Sequence, residues 1–291
     1  MGQQRFIRMR DGVELFADIK ETGAPQWLVA IHGIGEHLGR HKYLIDLFSS
    51  SFNIMQFDLR GHGNSGGDRA KISDFYDYMR DLGEIVQFLK NEYRLKDYVL
   101  FGHSMGALIA CGFVQSFTSS ENYPQKLFLC APPVGLPGAL GQFVRFLPQS
   151  VIKKMAATQI GLNLGGLVDL KMLSHDPRVA ENYISDPLNC LKLHTKLLTG
   201  LALASKEIFS KPLDLKCKCH VAVGSHDQIV HVPSLEEYFT FVEKNVELKV
   251  IDDAFHELHN EIDKYKKTYF NFIKRALIDS KAIDVEVNPA R

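Results

Sequence analysis

The chain has 291 residues, 34 Lys+Arg against 34 Asp+Glu, and 45% hydrophobic residues. A balanced charge with no basic run leaves no electrostatic footprint for nucleic acid, and no apolar run reaches the roughly 18 residues a spanning helix needs. That length and apolar content suit one large α/β domain, or a core carrying a small insertion.

The N-terminal stretch 1–10 lacks the apolar centre of a signal peptide and enters a strand at once. Residues 6–10 and 13–20 flank Asp11-Gly12, a hairpin signal. Residues 27–31 form a continuous apolar run of the kind that parallel core strands carry. Further strand-like runs follow at 53–57, 98–101, 126–130, 219–223 and 247–251, and helical patterns occupy 42–49, 75–93, 105–117, 234–242 and 262–277. Ser73 is the expected cap of the long second helix, with Asp74 and Asp77 in its first turn. A hairpin followed by alternating strands and helices predicts a mostly parallel sheet covered by helices on both faces.

The alternation breaks between residues 134 and 215. Pro137-Gly138, Gly141, Gly161 and Gly165-Gly166 punctuate the apolar pairs Phe143-Val144, Phe146-Leu147 and Val151-Ile152. These features predict a helical cap inserted after the 126–130 strand. The expected organisation is a core of residues 1–133 and 216–291 with a cap over 134–215. The five cysteines, Cys111, Cys130, Cys190, Cys217 and Cys219, have no disulfide-framework spacing, and Cys217-x-Cys219 lacks a second metal-ligand pair. A reducing, cytoplasmic compartment and no metal are therefore expected.

The chemistry concentrates at Gly102-His103-Ser104-Met105-Gly106, a G-x-S-x-G run between a strand-like and a helix-like apolar segment. Such a turn strains the serine backbone and lifts its Oγ clear of the sheet edge, and only small residues fit beside it. A hydroxyl nucleophile needs a base, and the base needs an orienting carboxylate. Asp227 closes the turn Gly224-Ser225-His226-Asp227, and His256 ends the loop Asp252-Asp253-Ala254-Phe255-His256. Asp252 and Asp253 lie near as alternative carboxylates, and His259 is an alternative base. His256 is favoured because it directly follows the strand-end loop. The oxyanion donors expected are the amides of Met105, after the nucleophile, and of Ile34 in the loop His32-Gly33-Ile34-Gly35-Glu36-His37. His32 and His37 are read as loop-ordering residues. The glycine-dense Asp58-Leu59-Arg60-Gly61-His62-Gly63-Asn64-Ser65 lacks both phosphate-loop patterns, and its side chains are expected to lock a turn beside the oxyanion loop.

Together with Ser185-Asp186-Pro187-Leu188 and His256-Glu257-Leu258-His259-Asn260-Glu261, these motifs resemble the α/β-hydrolase superfamily. The likeness is to its monoacylglycerol lipase and lysophospholipase branch, also called serine aminopeptidase-like. The resemblance implies a Ser104, Asp227, His256 triad, an Ile34/Met105 oxyanion hole and no cofactor. It also implies a cap admitting one acyl chain, transient contact with membrane surfaces through that cap, and a single-acyl lipid ester as substrate. A lysophospholipase, thioesterase or acyltransferase would use the same triad. A catalytically silent receptor would be expected to lack one of these positions, and none is missing.

Overall fold

The computed structural model describes residues 2–135, 161–166, 169–243 and 245–278. Eight strands build one sheet: β1 (Gln3–Arg8), β2 (Glu14–Lys20), β3 (Gln26–Ile31), β4 (Asn53–Phe57), β5 (Asp97–His103), β6 (Lys126–Cys130), β9 (Lys218–Gly224) and β10 (Val246–Ile251). Their order is β1-β2-β4-β3-β5-β6-β9-β10. The hairpin strand β2 is antiparallel to both neighbours, and every pairing from β4 to β10 is parallel. The expected hairpin turns at Gly12, whose φ of 90° suits a residue without Cβ.

The middle strands are buried along nearly their whole length, which is why their sequences read as apolar runs. Their side chains still alternate between two cores. Val29, Ile31 and Leu100 face a core completed by α2 (Asp77–Tyr93) and α3 (Met105–Gly112). Leu28, Val99, Phe101 and Phe128 face the other core, completed by α1 (Tyr43–Phe48) and α7 (Asp263–Leu277). In α7 the buried Tyr265, Tyr269, Phe272, Ile273 and Ala276 recur at three- and four-residue spacing, one stripe facing the sheet. The second helix starts at Asp77 with Tyr76 at its N-cap position and no side-chain cap, so Ser73 does not cap it. The Tyr76 amide donates to Asp74 Oδ1 at 3.0 Å and the Asp77 amide to the Asp74 carbonyl at 3.1 Å. The Asp74 side chain thus takes one amide of the turn that leads into the helix.

Between β6 and β9 the described residues contain α4 (Pro177–Ser185), α5 (Thr195–Ile208) and a small ribbon of β7 (Asn163–Gly165) paired antiparallel with β8 (Lys192–His194). The ribbon is separate from the main sheet. Pro137-Gly138, Gly141, Phe143-Val144, Phe146-Leu147 and Val151-Ile152 lie outside the described residues. Helix α5 buries Leu197, Ala204 and Ile208 in the same core as α3. Helix α6 (Val232–Glu237) follows β9. Among the described residues no helix is long and apolar enough to cross a membrane.

Strand order reverses between β3 and β5, because β4 lies on the far side of β3. In an open parallel sheet that reversal leaves a crevice at the carboxyl ends of the strands. The loops after β3, β5, β9 and β10 all leave from that end, and they carry every candidate site residue.

Candidate active site

Ser104 follows β5 with φ 52° and ψ −117°, a conformation rare for a residue with Cβ. Its backbone is held there from both sides. The Ser104 amide donates to the Cys130 carbonyl at 2.8 Å, and the Ser104 carbonyl accepts from Ala107 at 2.9 Å. A Cβ on Gly102 would sit 2.5 Å from the Gly106 carbonyl oxygen, and one on Gly106 would sit 2.5 Å from that of His32. The two glycines therefore let α3 start against β5 and β3, and the turn cannot relax.

Asp227 and His256 meet across the ends of β9 and β10. Asp227 Oδ2 accepts from His256 Nδ1 at 2.6 Å, while its Oδ1 takes the amides of Ile229 and Val230 at 2.8 and 3.1 Å. This geometry fixes the His256 tautomer with Nε2 free as an acceptor. Burial alone would push His256 down, but the Asp227 carboxylate, with Glu257 and Glu36 farther off, raises it above its ordinary 6.5. Ser104, His256, Ile34 and Gly33 line one cavity of about 330 Å3. Among the described residues no hydrogen bond joins Ser104 Oγ to His256, which is common for a serine site without substrate. The amides of Ile34 and Met105 likewise donate to no acceptor among the described residues.

The alternatives point elsewhere. Asp252 and Asp253 are exposed. His259 is buried behind the site, where its ring lies 4.7 Å from His41 and stacks on Tyr43 at 4.8 Å. Desolvation, with His41 and His103 nearby, holds it well below 6.5, so it stays neutral.

The loop after β3 is tied down on all sides. His32 bridges the Gly33 carbonyl (2.7 Å) and the Leu59 amide (2.9 Å). His37 Nε2 donates to Asp186 of the Ser185–Leu188 motif at 2.8 Å, and the Cys190 amide to the Gly35 carbonyl at 2.7 Å. Asp58 accepts the amides of Leu38 and Asn64, both at 2.8 Å, and Ser65 Oγ donates back to the Asp58 carbonyl at 2.6 Å. The glycine-dense turn is thus a brace for the loop that carries Ile34.

A group of buried charges beneath the serine escaped the sequence reading. Glu36 Oε1 takes the Gly33 amide at 2.5 Å, His103 Nδ1 at 2.9 Å and His41 Nε2 at 3.0 Å. Glu36 Oε2 pairs with Arg40 Nε at 3.2 Å. Burial opposes its ionisation, yet the His41 and His103 donors hold it well below the usual carboxylate range. Glu36, His41 and His103 offer ligand atoms within 4.8 Å of one another. A cation would need the two nitrogens bare, whereas both are engaged as donors to one carboxylate oxygen, so their arrangement is that of a hydrogen-bond hub. Arg40 continues to Glu257, and Tyr183 covers its guanidinium at 4.8 Å. The available signals were the i, i+4 spacing of Glu36 and Arg40 and the places of His103 and Glu257 directly beside the candidate residues Ser104 and His256.

The parallel sheet, with the strained serine and the imidazole–carboxylate pair at the carboxyl ends of its strands, has the architecture of the α/β-hydrolase fold. A sequence profile of the serine aminopeptidase S33 family matches residues 23–263, and the chain belongs to that family. It is 29% identical to a monoglyceride lipase homolog of Monkeypox virus over 256 residues, 86% of this chain and 88% of that one. It is also 29% identical to the human monoglyceride lipase over 277 residues, 90% of this chain and 86% of that one. The crystal structure of Paleococcus ferrophilus monoacylglycerol lipase superposes with a TM-score of 0.78 at 24% identity, covering 90% of this chain and 97% of the other. With these relatives, the chain is classed as a carboxylic ester hydrolase.

Proposed function

We propose that this enzyme hydrolyses monoacylglycerols or closely similar single-acyl lipid esters through an acyl-enzyme on Ser104. The observation that carries the reading is the joint placement of Ser104 and of His256, itself held by Asp227, on one largely apolar cavity. His256 Nε2 takes the Ser104 proton as Oγ bonds to the ester carbonyl carbon, and the carbonyl oxygen becomes an oxyanion. The amides of Ile34 and Met105, which have no acceptor among the described residues, are the donors assigned to it in this reading. Collapse of the intermediate breaks the bond to the alcohol oxygen, which leaves with the proton that His256 carried. Water then repeats the sequence on the acyl-enzyme and releases the fatty acid. Asp227 holds the ring and stabilises the imidazolium at each step.

Leu164, Leu170, Leu191, Leu193 and Ile229 supply an apolar wall for one chain, each CH2 withdrawn from water contributing about 0.8 kcal/mol. Leu164, Leu170, Leu173, Tyr183 and Leu191 come from the described part of the 134–215 insertion, which supports reading that insertion as a cap. Leu162, Ile184 and Leu191 are 65%, 56% and 47% exposed, and the last two also line the cavity. An exposed apolar rim of this kind supports transient contact with a lipid surface. The test is fluorophosphonate labelling of wild type and Ser104→Ala with monoacylglycerols as competitors. Ser104-dependent labelling that medium-chain monoacylglycerol suppresses is expected. Full esterase activity in Ser104→Ala would refute the assignment.

A further inference from the structure

The cavity has two chemically different parts. One wall is apolar. The other holds Glu36, His103, Tyr183 and Glu257 beside Ser104 and His256. These polar groups are contiguous through Arg40, which lies behind them. Its Nη2 donates to both oxygens of Glu257 (2.7 and 2.5 Å), and its Nε to Glu36. Asn260 Nδ2 donates to Glu257 Oε2 at 2.6 Å, so this carboxylate is held in place from two sides. Glu36 and Glu257 are each only 2% exposed. Among the described residues no lysine or arginine lines the cavity. Of the imidazoles around Glu36, desolvation lowers His103 and holds His259 well below 6.5, and His41 Nε2 donates to Glu36 Oε1 at 3.0 Å. Two carboxylates therefore share one guanidinium, while Asp227 stands against His256 in a separate pair, so one carboxylate at the polar end has no guanidinium of its own.

An acyl chain takes the apolar wall, so the alcohol part of the ester is left with the polar end. There a hydroxyl has good partners. It can donate to a carboxylate oxygen, and His103 Nε2 is buried with no partner among the described residues. A phosphate finds only like charge. One unit charge about 5 Å away at an effective dielectric near 20 changes affinity by roughly two orders of magnitude.

We propose that Glu257 is a specificity-determining residue: it makes the leaving-group end of the cavity anionic, so that esters of neutral or cationic alcohols are accepted and phosphate-bearing ones are rejected. This rests on the monoacyl ester hydrolase reading above. It narrows the substrate to neutral glycerides and extends it to esters of amino alcohols, against lysophospholipids whose head group ends in a phosphate. Specificity arises by repulsion of the wrong head group as much as by attraction of the right one. Glu36 alone would be balanced by Arg40, and the second carboxylate reverses the sign of the site.

The experiment compares kcat/KM for the hexanoyl esters of glycerol, glycerol 3-phosphate and choline, short enough to stay monomeric, with p-nitrophenyl hexanoate as a head-group-free control. Wild type is expected to turn over the glycerol and choline esters and to disfavour the phosphate ester about a hundredfold. Glu257→Gln keeps the shape and removes the charge, and should narrow that gap at least tenfold. The same substitution withdraws a charge that raises His256, so the acid limb of the pH–rate profile should move to lower pH. A structural role alone would produce neither change. Wild type cleaving the phosphate ester within threefold of the glycerol ester overturns the proposal, with or without the variant. An unchanged ratio in folded Glu257→Gln, judged by its melting curve, also overturns it and leaves the monoacylglycerol reading standing. Turnover of the p-nitrophenyl ester with none of the three head groups would refute both.

Discussion

Gly224 ends β9, three residues before Asp227, and its Cα packs against the loop that carries His256. A methyl group there would overlap the carbonyl oxygens of Ala254 and Phe255, and would lie 2.5 Å from the Ala254 carbonyl carbon. Non-bonded carbons sit about 3.5–4.0 Å apart, so Gly224→Ala must push strand end and loop apart by about 1 Å. All the obstructing atoms are backbone, and no side-chain rotation relieves them. The Asp227–His256 bond of 2.6 Å spans this same gap. A misplacement of that size at a catalytic group costs about a hundredfold in rate, and the overpacking costs about 1–3 kcal/mol of stability. The assay is kcat/KM on a p-nitrophenyl ester together with the melting temperature. Gly83→Ala is the control. Gly83 is in the interior of α2 and its Cβ would meet only Phe113 Cε2 at 3.7 Å, so this change should stabilise by about 0.5–1 kcal/mol without affecting rate. Gly224→Ala within twofold of wild type in rate, with an unchanged melting temperature, would refute the reasoning.

Three further outcomes are expected. His256 must be neutral to act as a base, and its pKa is raised above 6.5. The acid limb of kcat/KM should therefore have its midpoint above 6.5, and Asp227→Asn should cut kcat by about 10⁴ by losing the tautomer. Burial lowers His62 to about 4. Unfolding frees it to bind a proton below its ordinary 6.5, so its contribution is intact above pH 6.5 and is lost progressively toward pH 4. That amounts to about 3 kcal/mol from this residue, measurable by urea titration at pH 7.5 and 4.5. Glu36→Gln turns one acceptor of the hub into a donor facing the donors Gly33, His41, His103 or Arg40. A loss of about 3 kcal/mol is expected, with the larger fall in kcat because the loop bearing Ile34 loosens. Melting curves and steady-state rates check both effects.

Local chemistry made much of this protein legible in its sequence. Continuous apolar runs marked the parallel strands because a strand covered on both faces has no polar side to show. Small residues around Ser104 marked the turn because its crowding excludes Cβ atoms, and the chain order of Ser104, Asp227 and His256 followed from loops that all leave one sheet edge. The choice of His256 over His259 needed the tertiary structure: both lie in one short segment, and only the fold shows that one ring faces Asp227 while the other stacks on Tyr43. The hub of Glu36, Arg40, His103 and Glu257 was equally hidden. Its members come from three segments separated by up to 217 residues between Arg40 and Glu257, and no local pattern records which distant charges will share a buried space. The sequence therefore determined the turns that carry Ser104, Asp227 and His256, whose constraints lie within a few neighbours along the chain. The tertiary structure decided the electrostatics of the cavity, since charge balance in a low-dielectric space depends on distances that only folding sets.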